Sequence, residues 1–405
     1  MDRRTLLKGL LAGAPLVGVS ALRGATRLRV VVAGAGIVGA SAAYHLARAG
    51  AAVTVIDQVG PATRASRGTF AWINATWAKQ PRHYHGLSQQ AVEDWHALQG
   101  VLKLPIRWEG SIEWFATAER QARLAADIEE QIAWGEPARM VEAADLAALE
   151  PALRAYPSAV AFSPRDGAVD PVLATQRLLA AAVESGAQVH YPRRLLGVAM
   201  AGDRLQSVET SAGQIPADRL VLATGAAGEL TEAVSGVAVP QRSTPGVIAF
   251  TPPMAPVVRR VVAAPGVHLH QRDDGRVVLG EQDGAPDTAR HAQRLAGRPN
   301  DFPSTFLARQ HGQRMLATAA RFIPALGEAK IESAVIGWRP LPLDGHPVLG
   351  RSPRRADVYV AVMHSGVTLA PLAGRVIAEE LVGEQALASL APYRPGRPFE
   401  RVKRY

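Results

Sequence analysis

The clearest chemistry-bearing pattern in the chain is three glycines and an aspartate. Gly34, Gly36 and Gly39 form G-x-G-x-x-G directly after the apolar run Val30 to Ala33. Asp57 follows 23 residues after Gly34, at the end of a second apolar run, Val53 to Ile56. Each residue type has a physical task. Gly34 permits a tight turn, Gly36 lets backbone approach a pyrophosphate, and Gly39 lets a helix pack closely on a sheet. Ile37 and Val38 open that helix, whose free N–H groups point at the phosphates. Asp57 can accept hydrogen bonds from an adenosine ribose and disfavours a 2'-phosphate. The pattern reads as a dinucleotide site. It does not by itself choose between FAD and NAD.

A second set of candidates lies far downstream. Arg339 sits in Ile336-Gly-Trp-Arg-Pro-Leu-Pro-Leu-Asp-Gly-His-Pro-Val-Leu-Gly350, too rich in Pro and Gly for a helix or a central strand. A guanidinium can hold a carboxylate by two parallel bonds. It can equally pair with a structural carboxylate. His364 falls in the turn Met363-His-Ser-Gly-Val-Thr368, where it can bind a ligand, tune a proton transfer or brace the turn. His270 belongs to the alternating His268-Leu-His270, and half the side chains of such a strand face away from any given site.

These residues need elements to position them. Apolar strand, helix pattern, closing Gly50 and second apolar strand make a βαβ opening around Gly34. The stretch Thr63 to Trp77 is small and polar, then aromatic. It reads as a loop reaching a cofactor, with Arg64, Ser66 and Gly68 as contacts and Trp72 and Asn74 as wall or packing residues. Helices are expected over Leu87–Leu98, Glu119–Ile132, Val172–Ser185 and Phe306–Phe322, and a strand pair over Ile106–Phe115. Asp170 caps the third helix and Pro171 starts it. The buried strand from Ala217 ends at Thr224-Gly225, a second backbone contact to the dinucleotide. Residues 239–280 read as strands and 282–304 as a polar loop. A last strand, a turn holding Gly366, Val367 and Thr368, and a helix close the chain. The expected fold is α/β: a Rossmann-like domain with an interleaved α+β domain built on a mixed or antiparallel sheet. The nucleotide domain takes residues 27–84, 151–238 and 325–400, and the substrate domain takes 85–150 and 239–324.

Composition narrows the function. The chain has 405 residues, is 48% hydrophobic and carries a net charge of +9. No basic run or recognised module accompanies that charge, so nucleic acid is not the expected partner. The absence of cysteine excludes disulfides, thiolate catalysis and a cysteinyl bond to a cofactor. No metal motif appears. Residues 1–25 resemble a twin-arginine export signal: Arg3-Arg4, then an apolar stretch from Leu10 to Leu22 that is too short to span a membrane. They predict a periplasmic or otherwise exported protein, the alternative being a cytoplasmic enzyme with an N-terminal extension. Their removal takes away four basic residues and one acid, lowering the charge from +9 to +6.

Together these blocks resemble the FAD-dependent D-amino acid oxidase-like family, on its glycine/sarcosine oxidase and D-amino acid dehydrogenase side. The resemblance rests on Gly34-x-Gly36-x-x-Gly39, Asp170-Pro171, Ala223-Thr-Gly225, Gly337-Trp-Arg-Pro340 and Gly366-x-x-x-Ala-Pro371, and covers nearly everything after residue 27. It implies a tightly held FAD whose ring lies at the boundary with the substrate domain. It implies oxidation of an amine or amino-acid C–N bond to an imine, hydrolysis to a carbonyl compound, and electrons passed to dioxygen or another acceptor. It makes Arg339 the anchor of an anionic substrate and places His364 beside the ring. The family's covalent links are missing: the chain has no cysteine, and the 60–70 region has no histidine, so FAD is expected to be non-covalent. Some relatives place a lysine over the ring; the spacing of Lys79, Lys103 and Lys330 assigns none of them that task. The alternatives are oxidation of a hydroxy acid or secondary metabolite, and a non-catalytic flavin-bearing partner protein.

Overall fold

A computed structural model of the chain describes residues 27–76, 79–282, 301–302 and 304–401. The export segment expected at 1–25 lies outside the described residues, as does most of the 282–304 loop.

Two sheets organise the molecule. The first has six strands in the order Val348–Arg351, Val358–Val362, Arg219–Leu222, Arg29–Ala33, Ala52–Ile56 and Gln188–His190. All its pairs are parallel except the edge pair of Val348–Arg351 with Val358–Val362. Val30, Val32, Val221 and Val360 are buried, because a parallel sheet covered on both faces needs continuous apolar strands.

The helix Ile37–Arg48 covers one face of this sheet and crosses the last helix, Gly366–Leu381. Small residues set that crossing. A Cβ on Gly374 would fall 2.3 Å from Ser41 Oγ and 2.5 Å from Ser41 O. The close approach carries the N-terminal end of the last helix to the N-terminal end of the first. Trp95, fully buried on the helix Arg82–Leu102, fixes the same end, donating from its indole to Val367 O at 3.0 Å and Thr368 O at 3.1 Å.

The second sheet has eight strands in the order Ser333–Pro342, Gln241–Phe250, Val277–Gly280, Val267–Gln271, Val261–Ala264, Ser111–Glu113, Ala159–Ser163 and Arg139–Glu142. It is mixed: Val261–Ala264 pairs parallel with Ser111–Glu113, and its other pairs are antiparallel. The helix Thr305–Ala320 packs on it over a separate apolar core that includes Leu269, Leu279 and Met315. The architecture is therefore α/β, a Rossmann-like unit joined to a mixed-sheet unit. Two segments expected in the nucleotide domain each send a strand into the second sheet: 151–238 sends Ala159–Ser163 and 325–400 sends Ser333–Pro342. An apolar strand carries no mark of which sheet will receive it.

Local signals are met closely. Asp170 Oδ1 accepts from Val172 N at 2.8 Å and Leu173 N at 3.1 Å, and Pro171 opens the helix Pro171–Glu184. The strand pair expected over Ile106–Phe115 does not form. Only Ser111–Glu113 is a strand, and it pairs with Val261–Ala264 and Ala159–Ser163 rather than with its own neighbours.

Candidate active site

A continuous cavity of about 1280 Å³ runs from the end of the parallel sheet to the face of the mixed sheet. It exceeds the roughly 300–1,000 Å³ of a single small-molecule pocket, leaving room for a dinucleotide and a substrate together.

The nucleotide end is built from backbone. Gly34 has φ +112°, and a Cβ there would lie 2.3 Å from Ala223 O. Gly39 packs against that turn: its Cβ would fall 1.9 Å from Gly34 O. Gly39 therefore does not line the cavity; it permits the strand–turn–helix geometry that does. Gly36, Ile37 and Val38 face the cavity at the helix start. Ser66 Oγ accepts from Ile37 N at 3.0 Å, so the loop after the second strand caps the helix from outside it. Asp57 Oδ2 accepts from Ala35 N at 2.9 Å, and Oδ1 accepts from Val59 N at 2.8 Å and Gly60 N at 2.9 Å. These bonds aim the carboxylate at the cavity, where its other lone pairs can meet a ribose. Thr224 and Gly225 enter from the next strand. Gly225 has φ +59° and no atom within 4 Å of its Cβ position, an open place for a ligand to approach.

The other end is built from side chains on elements distant in sequence. Arg339 lies opposite Thr244 in the strand pair at the sheet edge and lines the cavity beside Gly246. Its strand is fixed by a contact between two glycines. A Cβ on Gly337 would fall 2.0 Å from Gly68 O, and one on Gly68 would fall 2.4 Å from Gly337 Cα. The loop holding Arg64, Ser66 and Gly68 thus joins the nucleotide cradle to the strand that presents Arg339. His364, Gly366, Val367 and Thr368 line the cavity at the start of the last helix, whose N-terminal end favours negative charge.

His270 takes a different place. It shares a strand face with His268, which lines the cavity, but Phe70 shuts it off. Its Nε2–H donates to Phe70 O at 3.0 Å, and the ring is 3% exposed. Burial, reinforced by nearby Arg272, lowers its pKa to about 3, so it stays neutral. Alternation puts both histidines on one face; the covering Phe70 decides which of them reaches the cavity.

Sequence spacing missed a polar cluster behind the cavity wall. Lys79 lines the cavity, and its Nζ donates to Asn74 O at 2.8 Å, Asn74 Oδ1 at 2.7 Å and Ser88 Oγ at 3.1 Å. Desolvation lowers its pKa to about 8, opposed by Asp166 and Glu136. Asp166 is 1% exposed. Its Oδ2 accepts from Ser111 Oγ at 2.7 Å, Trp72 Nε1 at 2.8 Å and Thr76 Oγ1 at 3.0 Å. Burial nevertheless pushes its pKa up to about 7. Asp166 and Lys79 meet only through folding, so no local pattern announced them. Among the described residues no group of three or more acids or histidines is placed to hold a metal.

A backbone cradle for a pyrophosphate, opening into a chamber with an arginine in its wall, defines a dinucleotide-binding protein with an adjoining ligand chamber. The chain belongs to the family of FAD dependent oxidoreductases (DAO), matched over residues 29–380, and its cofactor is FAD. The glycine cradle, Asp57 and the size of the cavity fit that group, and the binding is non-covalent, as is typical of the family; the chain has no cysteine and no histidine in the 60–70 region. The chain is 28% identical to a glycine oxidase of Pseudomonas aeruginosa over 211 residues, 51% of this chain and 54% of that enzyme, so it spans about half of that relative's length. It resembles the structure of glycine oxidase from Geobacillus kaustophilus with a TM-score of 0.81 at 23% identity, covering 92% of this chain and 100% of that one. It also resembles an iminodiacetate oxidase from Chelativorans, with a TM-score of 0.74 at 27% identity over 91% and 99% of the two chains.

Proposed function

We propose that the protein oxidises the C–N bond of an amine or amino acid that carries a carboxylate, passing the electrons to dioxygen or another acceptor. The observation that carries this reading is Arg339, held by the Gly68–Gly337 contact in the cavity that contains the nucleotide cradle. FAD, when bound, supplies the two-electron acceptor. Arg339 grips the carboxylate through paired N–H donors and thereby orients the α-carbon. His364, beside the start of the last helix, is a second polar contact for the same anion. Phe70, Val247, Ile248 and Trp338 give the chamber an apolar wall, which favours the neutral amine over the ammonium. Two electrons and two protons leave the substrate as the C=N bond forms. Water then adds to that carbon and the C–N bond breaks, giving a carbonyl compound and a free amine.

Anaerobic mixing with a panel of compounds tests this, with loss of visible flavin absorbance as the readout. The panel takes glycine, an N-methyl amino acid, D- and L-amino acids, iminodiacetate, uncharged amines and hydroxy acids. Iminodiacetate is included because of the likeness to the Chelativorans oxidase. Bleaching by carboxylate-bearing amines is expected; bleaching by hydroxy acids alone would overturn the reading. Admitting oxygen afterwards separates an oxidase from a dehydrogenase by the rate at which colour returns.

We propose further that the chain is exported through a twin-arginine signal. Arg3-Arg4 and the short apolar stretch after them support this, and a non-covalent cofactor is best loaded into a folded protein before transport. N-terminal sequencing of active protein from the cell envelope should start near residue 26; Met1 retained on all of it would argue against cleavage.

A further inference from the structure

Asn74 is a buried residue in the cavity wall whose backbone is pinned on both sides. Its N–H donates to Thr368 Oγ1 at 3.3 Å, and that hydroxyl donates to Trp72 O at 3.2 Å. Thr368 stands in the first turn of the last helix. Two residues earlier, a Cβ at Gly366 would lie 3.4 Å from Val38 Cγ2 in the nucleotide cradle. Asn74 therefore belongs to the cofactor side of the chamber.

The carboxamide of Asn74 has one acceptor end and one donor end, and its partners decide which way it points. Here the partner is a cation. Lys79 Nζ has three N–H groups and places them on Asn74 O, Asn74 Oδ1 and Ser88 Oγ. An ammonium only donates, so the amide atom facing it must be oxygen, and the NH2 group must take the opposite side. Among the described residues no protein acceptor takes up Nδ2. Desolvation lowers the Lys79 pKa to about 8, while the buried carboxylates Asp166 and Glu136 favour the protonated form, so the ammonium predominates at neutral pH. Glu136 accepts from Gln89 Nε2 at 2.9 Å and lies 3.8 Å from His85 and 3.7 Å from Arg165.

We propose that Lys79 is a positioning residue of the redox site: it locks the Asn74 carboxamide with its NH2 group toward the cavity, as a hydrogen-bond donor to a carbonyl oxygen of the bound flavin ring. A donor fixed there favours the negative charge that the ring gains on reduction. The proposal rests on FAD as cofactor and is independent of the substrate, because its readouts are taken with none present.

Three substitutions separate the parts. Asn74→Asp keeps an acceptor for Lys79 and removes the donor into the cavity. Lys79→Met frees the amide to rotate, and Lys79→Arg retains a donor-only cation. The experiment measures the visible flavin spectrum, the midpoint potential and FAD affinity of each reconstituted holoenzyme. It includes Asn74→Ala and the double variant Asn74→Ala/Lys79→Met. Asn74→Asp and Lys79→Met are expected to shift the spectrum, lower the potential and weaken FAD binding by about three- to tenfold. Lys79→Arg should restore most of the wild-type spectrum. In the Asn74→Ala background Lys79→Met should change nothing further. An equal effect of Lys79→Met with and without Asn74 would overturn the proposal. An unchanged spectrum, potential and FAD affinity in Asn74→Asp would overturn it as well, even if KM for substrate rose. If Lys79→Met fails to fold, Asn74→Asp still decides.

Discussion

The two ends of the cavity are built by different means. The nucleotide end is made of main chain: glycines at a turn, a helix start and a carboxylate held by three backbone N–H groups. The other end is made of side chains from three separate stretches, with Arg339, His364 and the Asn74–Lys79 pair brought together across the two sheets. The main-chain cradle depends on a few dihedrals and clearances that no other residue type can meet. The side-chain chamber depends on charge, hydrogen-bond direction and burial, which substitutions change by degree.

That contrast can be broken most severely at Gly34. Gly34→Ala places a Cβ against Ala223 O at a φ of +112°. Backbone strain of about 1–3 kcal/mol adds to displacement of the neighbouring strand. FAD affinity should fall by more than about a hundredfold, measured as the flavin-to-protein ratio after purification. Full flavin content would show that the turn is not what holds the cofactor.

Arg339→Ala should act on the other end alone. Removing one partner of an enclosed charge pair costs roughly 2–4 kcal/mol, or about a 30- to 1,000-fold loss in kcat/KM for a carboxylate-bearing amine. Flavin content should stay as in the wild type. An equal loss with an amine that lacks a carboxylate would remove Arg339 from substrate recognition.

Asp166 offers a pH test. Its pKa is raised from 3.8 to about 7, so the folded state holds a proton that the unfolded state has lost across that window. Its contribution to stability is complete below about pH 4 and declines as pH rises toward 7. In Asp166→Asn this slope should disappear, changing the stability difference between pH 4 and pH 7 by at least about 1 kcal/mol. Urea midpoints at the two pH values measure it; an unchanged difference would mean that Asp166 is ionised throughout.

The smallest effect belongs to His270. His270→Phe removes one buried hydrogen bond to Phe70 O, costing about 1 kcal/mol of stability. KM should move by less than about twofold, because Phe70 stands between this ring and the cavity. A large rise in KM would return His270 to the site.

How much of this was legible follows from the kind of structure involved. Gly34, Gly36, Gly39 and Asp57 lie within one βαβ unit, so spacing along the chain is nearly spacing in the fold. The Asp170-Pro171 helix start is local for the same reason. Arg339 could be named as a cation fixed among Pro and Gly, but its neighbours could not, since Gly68 lies far away in the chain. The strand pair expected over Ile106–Phe115 failed because cross-strand partners are chosen by the whole sheet.

The sequence by itself determined the dinucleotide cradle, the α/β class and the exclusion of cysteine chemistry. Each of these depends on residue identity and short-range geometry. Tertiary structure alone decided that His268 rather than His270 reaches the cavity, that Trp72, Thr76 and Ser111 converge on Asp166, and that Asp166 is buried. The physical reason is that burial and hydrogen-bond partnership belong to pairs of distant segments, and neither exists until the two sheets close on each other.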